Sequence, residues 1–510
     1  MRIKRLIATA LLVTLSVTSV MGCGSGKNEN SGSKVRPDFT SELVATFEAE
    51  DGTFTGNVHA ASSLDGFSGS GYVDGFNKAD EDFATVTVTV DQDDFYDIYL
   101  TVRTGGAFKN NRCYLDGEMI GSLDMETSGF EDIIVPHTYL SAGTHEIMMD
   151  TYWGYYQWDK VDLYTSEPIW DGFYDVSAKL VNPNASENAK RLMSYLCDIY
   201  GTYTLSGQYC CEQGLYGDEM ATIKKVTGKF PAVVGLDMSA YSPTSVANGT
   251  NPVSVDNAIT AWEDGAIVTM CWHWTGPSGY VKKGANWYSS FYKESSSINL
   301  DKAMNGKDDA ALEAIKSDIR AIAEDMLPLK EADVPVIWRP LHEAAGGWFW
   351  WGDCDAESYI ALYRLIYQIF TEEYELNNLI WLWNGQSEEW YPGDDVVDIL
   401  GWDIYAGEKV YTSQTAYYYR TKNCSGTPKL VCLSENGTIP DPDNLDRDGA
   451  KWLFFATWEG EFVTSNASLK VYSERYTSRE MIQKVYNHES IITKDELPDL
   501  KTYPIREDAE

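Results

Sequence analysis

The sequence predicts an α/β protein in which an all-β sandwich precedes a (β/α)8 TIM barrel. Three observations carry this expectation. Between Leu43 and Ser166 the apolar residues recur with period two and no helical period interrupts them. After Trp170 short apolar runs alternate with helical segments, and eight such runs can be counted. Polar and aromatic residues gather at the C-terminal ends of those runs, the face on which barrels of this kind build their sites. A chain of 510 residues is also too long for one ordinary domain, so two folded units are expected.

The N-terminus reads as an address. Arg2, Lys4 and Arg5 form a basic segment, and Leu6 to Val20 form an apolar run too short to span a bilayer comfortably. Val20-Met21-Gly22-Cys23 resembles a bacterial lipobox, which implies a signal peptide over 1–22 and acyl chains on Cys23. Residues 23–42, rich in Gly, Ser, Asn and Lys at their start, are the expected flexible tether. The expected location is extracellular, lipid-anchored to the bacterial cell membrane. Eight cysteines remain after Cys23; none forms a C-x-x-C pair, and the six histidines are scattered, which argues against a zinc site. Export permits disulfides but the spacing assigns none.

The sandwich is expected over 43–166. Thr85–Val90 and Tyr96–Val102 alternate strictly, His145–Met149 is a further strand, and Leu115-Asp116-Gly117 signals a hairpin turn. The barrel is expected over 168–495, followed by a C-terminal tail over 496–510. Its strand candidates are Tyr203–Tyr209, Phe230–Met238, Ala266–Trp274, Val334–Glu343, Leu379–Asn384, Val397–Tyr405, Lys429–Glu435 and Leu453–Trp458. Helices are expected over Glu187–Tyr200 with Ser186 as N-cap, Asp309–Leu327, and Ala356–Tyr374 with Asp355 as N-cap. No glycine-rich phosphate loop follows the first strand, which argues against an open nucleotide-binding sheet.

The net charge of −37 argues against nucleic acid or an anionic membrane surface as partner, whereas a neutral polysaccharide is compatible with it. Aromatic residues make up 13% of the chain, enough for sugar-stacking surfaces as well as cores. Glu343 ends the fourth strand candidate beside Arg339 and His342, and Trp348-Phe349-Trp350-Trp351 follow. A buried Arg339–Glu343 ion pair would account for that carboxylate structurally. Glu435, at the end of the seventh candidate, supplies a second one. Glycoside hydrolysis requires such a pair, retaining the anomeric configuration at a gap of about 5 Å and inverting it at a wider one.

Arg339-Pro-Leu-His-Glu343, Gly346–Gly352 (GGWFWWG), Trp402-Asp-Ile-Tyr405 and Ser434-Glu-Asn-Gly437 together resemble glycoside hydrolase family 26, over roughly Asp171 to Glu489. The resemblance implies a retaining endo-β-1,4-mannanase acting on mannan, glucomannan or galactomannan, with Glu343 as acid/base and Glu435 as nucleophile. It also implies substrate contacts from His273, His342 and Trp348, and a polar pair of Asp403 and Tyr405 beside the nucleophile. Trp458, at the end of the eighth strand candidate, is added to the substrate-binding set. The segment His342-Glu-Ala-Ala-Gly-Gly347 departs from the form found in many mannanases. A β-1,3-xylanase, a mixed-linkage β-glucanase, or an inactive surface glycan-binding lipoprotein therefore stay open as alternatives.

The N-terminal unit resembles carbohydrate-binding module family 35 on Phe47-Glu-Ala-Glu50, Gly71-Tyr-Val73 and Trp158-Asp-Lys-Val161. That resemblance implies a structural Ca²⁺ held by Glu48, Glu50 and Asp159, with a solvated acidic edge as the alternative. Glu48 and Glu50, two apart on a strand, would share a face. Tyr72 and Trp153 are candidate sugar-stacking residues of the module. No cofactor is expected for catalysis, and a monomer is expected.

Overall fold

The computed structural model describes residues 36–467 and 469–509; the signal segment, Cys23 and most of the tether lie outside them. The first unit is a sandwich of two antiparallel sheets. One runs in the order His59–Ala61, Tyr72–Asp74, Gln157–Thr165, Asp94–Arg103, Glu131–Leu140, with Leu43–Glu48 also pairing to Gln157–Thr165. The other runs Thr53–Phe54, Phe83–Val90, Gly143–Asp150, Lys109–Leu115, Glu118–Met125. The alternation read from the sequence is the burial pattern of these strands. In Phe83–Val90, Ala84, Val86, Val88 and Val90 are buried while Thr87 and Thr89 face solvent. Asp116 and Gly117 both take positive φ in the two-residue hairpin loop, which glycine adopts without steric cost.

The second unit is a closed parallel barrel. Its strands are β1 (Thr204–Tyr209), β2 (Val233–Asp237), β3 (Ile267–Cys271), β4 (Val336–Arg339), β5 (Leu379–Trp383), β6 (Ile399–Ile404), β7 (Leu430–Asn436) and β8 (Phe454–Thr457). Each pairs with the next, and β1 pairs with both β2 and β8, which leaves no barrel edge. All eight are buried along their whole length, which is why they read as continuous apolar runs rather than alternating ones. Four helices matter below: α1 (Glu187–Ile199), α2 (Asp309–Asp325), α3 (Ala356–Gln368) and α4 (Thr415–Lys422). Ser186 caps α1 through Ala189 N–H, and Asp355 caps α3 through Ser358 N–H at 2.7 Å.

The structure differs from the sequence reading in several places. Strand β4 stops at Arg339, so Glu343 stands on a loop four residues further on rather than on the strand. Helix α3 gives way to a π-turn over Ile369–Glu373 before Tyr374. The segment expected as a tail, 496–510, is packed: Leu500 and Ala509 are buried, and Asp508 accepts a hydrogen bond from Ala178 N–H. All eight cysteines among the described residues are free thiols. The two units meet at α4 and the loop before it: Arg420 pairs with Asp124 at 2.7 Å, and Thr412 Oγ1 donates to the Met119 carbonyl at 2.9 Å.

Candidate active site

At the C-terminal end of the barrel lies a cavity of about 730 Å³, walled by residues at or just beyond the ends of β1, β2, β3, β4, β6, β7 and β8. Its polar floor begins with Arg339. This guanidinium is wholly buried and donates to Asp403 at 2.6 Å, to Glu435 at 2.7 Å and, from its Nε, to the Tyr209 hydroxyl at 3.1 Å. It does not pair with Glu343, so the structural explanation of that carboxylate fails. Asp403 is held further by Ser434 Oγ at 2.7 Å and Asn384 Nδ2 at 2.6 Å. Gly401 permits this approach of β6 to β7, since a Cβ there would fall 2.6 Å from Ser434 Oγ.

Glu435 remains on β7, nearly buried, with one oxygen on Arg339 and the other accepting the Tyr405 hydroxyl. Glu343 reaches the same point from the β4 loop. Leu341 and Glu343 both take positive φ there, near +54 and +55. The loop is fixed to the end of β5 by Glu343 N–H to the Asn384 carbonyl and Ala345 N–H to the Gly385 carbonyl, each 3.0 Å. Trp348 donates its indole N–H to Glu343 Oε2 at 3.0 Å. One carboxylate oxygen from each of Glu343, Asp403 and Glu435 lies within 4.8 Å of the others.

Three carboxylates around a single guanidinium cannot all ionise cheaply. Burial, then Asp403 and Glu435, push Glu343 well above the usual carboxylate range, and it lacks the direct guanidinium contact of the other two. Burial also raises Asp403, to about 7, but Arg339 donates to it directly, so Glu343 is the better placed of the two to hold a proton.

A second chain of groups runs beneath the opposite wall. Asp237, the last residue of β2, accepts from His273 Nδ1 at 2.7 Å and from His273 N–H at 3.1 Å; His273 Nε2 lies 3.1 Å from His342 Nε2. Burial opposes charge on His273, but Asp237 beside it outweighs that and lifts its pKa above the ordinary histidine value. Burial, then His273 and Arg339, hold His342 well below it. His273 is thus the charged partner and donates to a neutral His342.

Of the residues singled out from sequence, Glu343, Glu435, His273, Trp348, Tyr405 and Trp458 line the cavity together. His342 and Asp403 do not: both are buried below it, His342 behind His273 and Asp403 behind Arg339. The expectation that they touch substrate is corrected to a supporting position. Trp350 and Trp351 are core residues. Glu212, Glu459, Cys211 and the aromatic loop bearing Trp287, Tyr288 and Tyr292 also wall the cavity. Sequence reading missed them because they lie on loops without a strand or motif signal.

In the sandwich, Tyr72 is buried against Phe67 and Phe130 and offers no face to a ligand, which corrects its expected role. Trp153 is exposed beside Phe108 and Tyr155. Glu48 ends its strand, but Glu50 sits in the following 3-10 turn, so the shared-face reading fails. Both carboxylates nonetheless converge with Asp159 on the loop 68–71. Ser68 N–H donates to Asp159 and its Oγ to Glu48; Ser70 and Gly71 N–H donate to Glu50 Oε1. Glu50 Oε2 is buried without a hydrogen-bond partner among the described residues. Burial, and then Glu48 and Glu50, raise Asp159. An orphaned carboxylate oxygen beside two further carboxylates is hard-donor chemistry of the kind a calcium ion takes, although the three do not gather as closely as Glu343, Asp403 and Glu435 do.

The profile of Glycosyl hydrolase family 26 matches residues 181–496, and that of Carbohydrate binding module (family 35) matches residues 45–166. The chain is 35% identical over 460 residues to the mannan endo-1,4-beta-mannosidase of Thermothelomyces thermophilus, covering 90% of this chain and 91% of that one. It is 34% identical to mannan endo-1,4-beta-mannosidase B of Piromyces sp, over 89% of this chain and 77% of that one. Among solved structures it resembles the GH26-CBM35 beta-(1,4)-mannanase of Podospora anserina at a TM-score of 0.62 and 32% identity, covering 90% of this chain and 99% of that one.

Proposed function

The chain belongs to glycosyl hydrolase family 26, and from that premise we propose that it is a retaining endo-β-1,4-mannanase with Glu435 as nucleophile and Glu343 as acid/base. The observation that carries the mechanism is the carboxylate spacing. Oxygens of Glu343 and Glu435 lie within 4.8 Å, which supports retention, typical at about 5–5.5 Å, over inversion, which needs roughly 6.5–9.5 Å to admit a water. The relatives' activity on mannan supports the substrate.

In the first step Glu435 attacks the anomeric carbon as the glycosidic C–O bond breaks, and Glu343 gives its proton to the departing oxygen. Arg339 and Tyr405 hold Glu435 in line. In the second step Glu343, now a carboxylate, takes a proton from the water that displaces Glu435 from the sugar. Reducing-sugar release from glucomannan, xylan and lichenan tests the substrate, with mannan-type polymers expected to dominate. Glu435→Ala is expected to abolish cleavage; wild-type turnover in that variant would sink the mechanism.

The family 35 module extends the same reading to polysaccharide binding, with Trp153 as its exposed aromatic candidate. Glu48, Glu50 and Asp159 would hold a Ca²⁺ that neutralises their mutual repulsion and braces loop 68–71. Export with a lipid anchor on Cys23 belongs to this reading, and Cys23→Ser should release the protein from membranes.

A further inference from the structure

A second cavity, of about 440 Å³, opens between the sandwich and the barrel and shares no lining residue with the first. One lip is the outer face of the sheet strand Asp94–Arg103 and its neighbour, with Asp97, Tyr99 and Ile134; the other is α4 and its end, with Tyr417, Arg420 and Asn423. Tyr99 is half-buried with its ring 4.5 Å from that of Tyr164, and Ile134 is 44% exposed. Arg420 is already committed, to Asp124 at 2.7 Å and over the Trp402 ring. Tyr419 also lines this cavity, and its buried hydroxyl has no hydrogen-bond partner among the described residues.

This lining selects its occupant. An anionic ligand would meet Asp97 and Asp124 with no uncommitted cation among the cleft residues to receive it. A purely apolar partner would strip water from Asp97, only one of whose oxygens takes the His137 N–H, and from the exposed Asn423 amide. A neutral sugar satisfies both demands, offering C–H faces to tyrosine rings and hydroxyls to carboxylate and amide.

We propose that this inter-module cleft is a second glycan-binding site, which takes a neutral β-mannan chain on Tyr99 with hydrogen bonds to Asp97 and Asn423. The substrate class rests on the mannanase reading. The site lies outside the catalytic cavity and would hold polymer against the enzyme, not process it.

The test uses the full chain with the other two candidate faces disabled, as Glu435→Ala/Trp348→Ala/Trp153→Ala, and mannohexaose as probe in titration calorimetry and saturation-transfer NMR. Residual binding is expected, and adding Tyr99→Ala should weaken it at least fivefold. Absence of residual binding, or binding indifferent to Tyr99→Ala and to Asn423→Ala, overturns the proposal. In the otherwise wild-type enzyme, Tyr99→Ala should leave kcat/KM on mannohexaose unchanged while lowering the rate on insoluble mannan. A chain inactive on every mannan would instead refute the mannanase reading, which separates the two failures. Unchanged thermal unfolding of Tyr99→Ala shows that the inter-module contact is intact; if it falls, Asn423→Ala, at an exposed position, carries the comparison.

Discussion

Arg339 donates to Glu435 at 2.7 Å and makes no ion pair with Glu343, although Glu343 is only four residues along the chain. The last residue of β4 thus serves the carboxylate of β7, across the barrel, and leaves its near neighbour to keep a proton. The division of labour proposed for two chemically identical side chains follows from which of them this one guanidinium reaches.

Removing that guanidinium should be severe. Arg339→Ala strands Asp403 and Glu435 as buried charges, and a broken buried pair typically costs about 3–5 kcal/mol. Arg339→Lys keeps the charge but loses the planar fork that spans both carboxylates. Denaturant unfolding should show a large loss for the Ala variant and a smaller one for Lys. Both should lose turnover by more than about tenfold, an order set by one misplaced catalytic group.

With Glu343 as the proposed acid, its ionisation should set the alkaline side of the activity profile. The acid must be protonated for the first step, and its pKa lies well above the usual carboxylate range, so activity should fall as pH rises through that raised value. Stability follows the same sign. The folded state keeps this proton after the unfolded chain has lost it, so the group's contribution declines as pH rises from the ordinary carboxylate range toward the raised value. Glu343→Gln should lower kcat by about 10²–10⁴ and raise Tm relative to wild type increasingly toward alkaline pH. A Tm difference that is constant with pH would refute the assignment.

Trp348→Phe keeps an aromatic ring but removes the indole N–H that favours ionised Glu343. The alkaline limb should move upward in pH, with KM changing less than it does for Trp348→Ala.

Asp237→Asn should reverse the charge state beneath the other wall. With the carboxylate gone, burial prevails and the His273 pKa should drop below the ordinary histidine value, a shift that imidazole NMR reads directly. In the wild type His273 is raised, so its stabilising contribution is complete below the unfolded histidine pKa and is lost as pH rises through the folded one. The variant should lose that dependence.

Calcium is tested by calorimetry of the full chain. Chelation should lower the unfolding temperature of the sandwich transition and leave the barrel transition in place. Glu50→Gln should abolish the difference.

Both architectures and the carboxylate pair proposed as catalytic were legible in the sequence, for physical reasons tied to particular residues. Thr85–Val90 alternates because one face of its sheet meets the core and the other meets water. Runs such as Val233–Asp237 and Leu379–Trp383 are apolar throughout because a barrel strand is covered on both sides. Glu343 and Glu435 were visible because each interrupts such a context. Loop geometry was less legible: neither the end of β4 at Arg339 nor the positive φ of Glu343 has a local signal, since both depend on hydrogen bonds to β5.

The sequence by itself determined the two folds, the family, and the identity of the two carboxylates, because burial periodicity and residue chemistry are properties of the chain. Only the tertiary structure decided what each polar group does. It gave Arg339 to Glu435 and not to Glu343, put His342 and Asp403 behind the cavity wall, buried Tyr72, and brought Tyr99 opposite Tyr417. Charge state and exposure are set by neighbours distant in sequence, and those neighbours exist only once the barrel has closed and the sandwich has docked upon it.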